Sequence, residues 1–214
     1  SIFYNGRILG LFVNDDRLIV FESSISPKRP VSDLSRREVI PPMDPQGVNL
    51  NIYDISKRES PLLLKELFLE GYYMNSRMIG DWVYVVINQP TISWFEDSQE
   101  IIMPRIYVDD RIMKVPATEI HYSSESIDVP DSYSIIVAVN IKFEDVETEY
   151  KVLLTGYATN MYVSQKNMYI TMPHGDWWQD KETTIIHGIA IQGPDITFEA
   201  NGIVPGRVLN QFSM

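Results

Sequence analysis

The 214-residue sequence predicts an all-β protein built from a recurring four-stranded antiparallel unit. Three observations carry that reading. Helical periodicity is nearly absent. Short runs rich in aromatic and β-branched residues, bounded by polar turn residues, fill the chain. The same two-part pattern of hairpins then occurs three times.

The first hairpin is "RILGLFV" (7–13), turn "NDD", then "RLIVFES" (17–23). Its counterparts are "NSRMIG" (75–80), Asp81 and "WVYVVIN" (82–88), and then "NMYVS" (160–164), "QK" and "NMYITM" (167–172). Asp and Asn bond their own backbone and tolerate left-handed geometry, so these polar pairs read as tight turns. Each hairpin is followed by a second. The first unit adds 48–56 and 62–71, the second 132–141 and 148–156, and the third 183–191 and 196–206. Each unit closes on a glycine, Gly71, Gly156 and Gly206, followed by Tyr72, Tyr157 and Arg207. A glycine there lets the chain turn sharply into the next unit. The segment "VSDLSRREV" (31–39) is short, polar and followed by Pro41 and Pro42, so it reads as a loop with one turn at most.

Ile19, Tyr84 and Tyr169 fall at the same step of the repeat. The spacing is irregular because of two insertions, about 24–47 and 89–131. Without them the unit approaches the ~40–50 residues of a propeller blade. In 82–87, both alternate faces are apolar: Trp82, Tyr84 and Val86 on one, Val83, Val85 and Ile87 on the other. Such a strand is buried on both faces, whereas a sheet with one wet face alternates. Blades stacked face to face supply that double burial; a β-sandwich of the same hairpins is the alternative. The fold expected is a partial β-propeller spanning 1–214, with about three four-stranded blades (7–71, 72–156, 157–206) and the first strand of a fourth. The last strand of each unit mixes charged and apolar residues, as an outer edge does.

The stretches "LFVNDDRLIVF" (11–21), "NIYDISKRESPLL" (51–63), "EGYYMNSRMIGDWVYVV" (70–86) and "GIVPGRVLNQFSM" (202–214) carry a family resemblance. The sequence resembles exported proteins of archaea and some bacteria with a C-terminal β-propeller domain distantly related to WD40 repeats. The resemblance covers most of the chain except the two insertions. It implies an extracellular or cell-surface setting, and family members that continue through further blades. It brings no catalytic residues.

Composition narrows the partners. The net charge of −11 repels phosphate backbones, so no nucleic-acid partner is expected. With no cysteine there are no disulfides and no thiolate chemistry. No window approaches the roughly 18–20 apolar residues of a membrane span. An arc of about three blades leaves bare flanks, so self-association through open blade edges is expected.

Catalytic signatures are absent: no nucleophile elbow, no phosphate-cradling loop, no zinc-binding His-Glu-x-x-His. The spacing of His121, His174 and His187 suggests no metal site, and no cofactor is expected. His187 reads as a hydrogen-bonded core or blade-face residue. The acidic pairs Asp15–Asp16, Glu96–Asp97 and Asp109–Asp110 read as turn formers. The candidate ligand-binding loop is "HGDWWQDK" (174–181), with His174, Asp176, Trp177 and Trp178. Exposed Trp suits both sugar stacking and protein hot spots. Trp94–Phe95 invites the same reading. Asn75 and Arg77 fall in an innermost strand, where polar side chains line a channel or satisfy blade junctions. An Arg there calls for an acid partner or an anionic ligand. The function expected is a non-catalytic module that binds a protein or a cell-surface polysaccharide. The alternative is a carbohydrate hydrolase using carboxylates from different blades.

Overall fold

Tight turns fold each hairpin of this computed structural model back on itself, and the described residues are 5–24, 46–95, 98–109, 111–122, 131–143, 145–174 and 182–210. The segment 31–39 lies outside them. Blade 1 comprises β1 (Ile8–Asn14), β2 (Arg17–Ser24), β3 (Gly47–Asp54) and β4 (Leu62–Glu70). Blade 2 begins with β5 (Tyr72–Ile79) and β6 (Trp82–Pro90). It resumes after the second insertion, which supplies β7 (Ile92–Phe95), β8 (Ser98–Ile101), β9 (Arg105–Val108), β10 (Arg111–Lys114) and β11 (Ile120–Tyr122). Its outer strands are β12 (Ser132–Asn140) and β13 (Glu149–Leu154). Blade 3 is β14 (Asn160–Val163), β15 (Asn167–His174), β16 (Thr183–Gln192) and β17 (Asp195–Pro205). All strands within a blade pair antiparallel with their sequence neighbours.

Double burial holds the blades together. Val83, Val85 and Ile87 join Ile19, Phe21, Leu50 and Ile135 in the core between blades 1 and 2. Tyr84 and Val86 join Ile136, Met161, Met168 and Ile170 in the core between blades 2 and 3. Every residue of β12 is buried. Each large apolar side chain removed from water this way contributes about 1.5–3 kcal/mol, and one strand feeds two cores at once.

The register pairs Ile19 with Ile52, Tyr84 with Ala138 and Tyr169 with Gly188, the same step in each blade. The turns before them use left-handed backbone at Asp15 (φ 50°) and Gly80 (φ 57°). Asp15 tolerates this as an Asp in a tight turn does. Tyr169, unlike Tyr84, does not lie between two sheets. It is 37% exposed, because among the described residues no further sheet lies against that face. The other flank is also partly bare, with Leu11 and Val13 exposed.

The outer edges correct the sequence reading. Neither β4 nor β13 is an edge. The β9–β10 hairpin adds two strands beyond β4, and β11 runs parallel beside β13. Asp109 fastens the hairpin: its N–H donates to Glu66 O (2.8 Å) and its Oδ1 accepts from Glu66 N–H (3.0 Å). Ile106 and Val115 of the insertion enter the first core. The insertion thus satisfies backbone groups that a bare edge would leave open to pairing with another chain.

Candidate functional site

Antiparallel order sends the connection between the second and third strands of each blade to one end of the molecule. The linker from one blade to the next emerges at the same end. Three backbone bonds tie the two together: Gly71 N–H to Gln46 O (2.8 Å), Gly156 N–H to Ser132 O (3.2 Å) and Gly206 N–H to Glu182 O (2.8 Å). All three glycines have positive φ, at 117°, 119° and 84°. That conformation is costly for any residue with a Cβ. At Gly71 a Cβ would also lie 2.5 Å from Asn88 O.

The residue after each glycine is thereby presented to solvent. Tyr72 is 43% exposed and Tyr157 is 51% exposed. The third position holds Arg207, which pairs with Glu182 at 2.6 Å. The second insertion and the 175–182 connection leave from this end, whereas the opposite end carries the tight turns of the hairpins. This end is therefore set by topology, with two tyrosines and a guanidinium at equivalent positions.

His174 is the last residue of β15 and lies at this end, where its carbonyl accepts a bond from Thr183 Oγ1 at 2.9 Å. Asp176, Trp177 and Trp178 lie outside the described residues, as do the side chains of Trp94 and Phe95. Asn75 follows a bulge in β5, and its Oδ1 accepts from the N–H of Ser76 at 2.8 Å. Arg77 is exposed on the same strand and makes no salt bridge among the described residues. The acid partner that the sequence reading allowed for it is therefore not found among them. Arg77 stands two residues before the end of β5, toward the tight-turn end. The structure thus brings Asn75 and Arg77 onto one inner strand but separates Arg77 from His174 by blade and by end.

The acids have structural partners. Tyr107 OH donates to Glu70 Oε1 at 2.8 Å and Gln89 reaches Oε2 at 3.5 Å, which holds Glu70 between blade 1 and the insertion. Burial and then the Glu70 charge push the Tyr107 hydroxyl up to about 12. Asp54 is held below the usual carboxylate range by hydrogen bonds from Ser56 and by Arg17 at 3.1 Å. Among the described residues no cluster of three or more His, Asp or Glu is positioned for a metal ion.

His187 corrects a second expectation. It is a core residue, 1% exposed, but its Nδ1 has no hydrogen-bond partner among the described residues. Phe198 contacts both it and His121, with ring centroids 5.7 Å and 4.2 Å away respectively. Burial, and then the His121 charge, lower the His187 pKa to about 4. A hydrogen bond cannot be read from one strand, because the partner must come from a neighbouring element; here the neighbour is an aromatic ring.

The sequence reading passed over Tyr72 and Tyr157 as site residues. The signal was present in the repeated Gly-Tyr pair, but its exposure depends on the linker's position outside both sheets.

Four-stranded antiparallel sheets stacked through two apolar cores, with inner strands as near neighbours, define a β-propeller. The family of the β-propeller domain matches residues 2–214, and the chain belongs to that family. Searches of curated proteins and of solved structures find no match. No helix of the described residues is long and apolar enough to cross a membrane.

Proposed function

We propose that this propeller is a non-catalytic binding module that holds a protein or a cell-surface polysaccharide, in an extracellular or cell-surface setting. One observation carries the reading: the long connections and the exposed Tyr72 and Tyr157 share one end of the stacked blades. Loops on a rigid β scaffold are where binding concentrates. Exposed tyrosines at equivalent positions offer large flat contacts at low entropic cost. The buried acids support this reading over hydrolysis, since Glu70 is occupied by Tyr107 and Gln89.

The test compares wild type with two double variants, Tyr72→Ala/Tyr157→Ala and Trp177→Ala/Trp178→Ala. Each is titrated against a panel of surface polysaccharides and surface proteins. Loss of two interface aromatics is expected to weaken binding about tenfold or more, with an unchanged melting temperature. Undiminished binding by both double variants would overturn the assignment of this end.

A further inference from the structure

The outer strand of each blade is its fourth, and the three differ in what lies beyond them. β9 pairs antiparallel with β4, and β11 pairs parallel with β13. Both added strands come from the second insertion. β17 has β16 on one side and, on the other, no strand among the described residues. The fold thus accepts a further strand at this place twice, in either direction, and leaves the third place open.

β17 runs for 11 residues, most of them exposed, including Ile203 (46%) and Val204 (38%). The backbone bonds show which groups face outward. Ile191 N–H bonds to Lys166 O, on the β15 side, so the flanking Ala190 and Gln192 bond to Thr197 and Asp195 of β17. At the other end Gly206 N–H bonds to Glu182 O, which makes Val204 and Gly202 the bonded partners there. The N–H and C=O of Ile196, Phe198 and Ile203 are left pointing away from β16, where a further strand would meet them.

The charges on the two kinds of strand are complementary. Asp195 and Glu199 are the charged residues of β17, and neither forms a salt bridge among the described residues. β4, which receives β9, carries Glu66 and Glu70. The strands added by the insertion, β9 (RIYV), β10 (RIMK) and β11 (IHY), have no acid. They bring Arg105, Arg111, Lys114 and His121 among apolar and aromatic residues. A second copy is poorly matched to β17, because it sets Asp195 and Glu199 against themselves and a net charge of −11 against its equal.

We propose that the open edge of β17 receives an extended segment of a partner protein that is basic, free of acids and rich in β-branched and aromatic residues. Backbone bonds to Ile196, Phe198 and Ile203 hold the segment, as in other cases of strand addition. Ile203 and Val204, successive residues on opposite faces of the sheet, supply apolar surface on both of its sides. A Lys or Arg of the segment lies near Glu199. This surface goes beyond the binding role of the end carrying Tyr72 and Tyr157, because it lies on the outer rim and uses a backbone edge rather than loop side chains.

The experiment is an amide-resolved hydrogen-exchange titration of the full chain by NMR, with the capped peptide acetyl-TRIYVKT-amide beside acetyl-TEIYVET-amide. With the basic peptide at about ten times its dissociation constant, exchange at the amides of Ile196, Phe198 and Ile203 is expected to slow about tenfold. The acidic peptide is expected to bind at least about tenfold more weakly. Ile203→Pro removes one outward N–H, leaves the bonds to β16 in place and is expected to weaken the basic peptide about tenfold. Glu199→Lys exchanges an exposed charge and serves where the strand does not tolerate the proline. It is expected to narrow the preference for the basic peptide about threefold. No slowing at any of the three amides, equal affinity for both peptides, or a preference unmoved by Glu199→Lys overturns the proposal. So does slowing of the Ile203 amide with protein concentration alone, which would make a second copy the occupant. Protection along β17 in a chain whose panel binding is indifferent to Tyr72 and Tyr157 sinks the role of that end alone. Panel binding that depends on the two tyrosines, with β17 unprotected by either peptide, sinks the edge alone.

Discussion

Tyr84 and Tyr169 occupy the same step of the second strand in consecutive blades, yet they face different surroundings. Tyr84 is 2% exposed; its ring lies in the core between blades 2 and 3, and its OH donates to Gly193 O at 2.8 Å. Burial raises the pKa of that hydroxyl. Tyr169 faces the open flank of blade 3 beside Tyr162, with ring centroids 6.3 Å apart. The repeat fixes where a side chain points, and the neighbouring sheet fixes what that position is worth. Tyr84→Ala is expected to cost about 3–5 kcal/mol, the range for emptying a large aromatic site in a core. Tyr169→Ala is expected to cost under about 1 kcal/mol, as at most surface positions. Urea denaturation of the two variants measures the difference. Equal costs would break the comparison, because they would mean that something covers the blade 3 flank in solution.

The two junctions around blade 2 also differ in chemistry. The first core is built from Ile, Val and Leu with Phe21 and Tyr133, and is reinforced by the insertion. Beside the second, His187 is buried against Phe198, whose ring also contacts His121. The pKa of His121 is lowered as well, by burial first and then by Lys151. His121 is the titratable group whose charge acts on His187, and Asn201 is the residue across the pair on β17. Because the folded pKa of about 4 lies below the unfolded value near 6.5, the folded state binds fewer protons. Stability from this residue is therefore fully present above about pH 6.5 and is lost as pH falls toward 4, to a total of about 3 kcal/mol. Other acids titrate in the same range, so the measure is the difference between wild type and His187→Leu. The gap in unfolding free energy is expected to shift toward the variant as pH drops from 7 to 4.5. A gap independent of pH would show that water or a polar partner reaches His187.

Much of this was legible in the chain, for physical reasons that are local. Turn residues such as Asp15 and Gly80 fix hairpin register, and a strand apolar on both faces, as at 82–87, implies a sheet on either side. The hairpin β9–β10 was also legible in principle, since Val108-Asp109 repeats the turn chemistry of Asn14-Asp15. Which edge it joins was not, because the bond from Asp109 to Glu66 spans residues far apart in sequence. The same limit hid the missing partner of His187, which depends on a neighbouring element. Tyr72 and Tyr157 were visible as a repeated pair, but their exposure follows from a linker that belongs to neither sheet.

The smallest expected effect tests whether the two blade linkers are equivalent. Asn88 is 1% exposed and supplies both the donor and the acceptor for Ala158. Asn88→Ala leaves that backbone N–H and C=O unpaired in a buried place, at a cost of about 2–3 kcal/mol. In blade 3 the places of Asn88 and Ala158 are held by Pro173 and Val208, so Pro173→Asn offers the same pair of groups to Val208, and a gain of about 1 kcal/mol is expected. Hydrogen exchange separates the two cases: the Ala158 amide should exchange faster in Asn88→Ala, and the Val208 amide more slowly in Pro173→Asn. A Val208 amide that keeps its wild-type exchange rate would mean that the linker after Gly206 is held by different forces from the one after Gly156, and the repeat would then govern the sheets but not the passages between them.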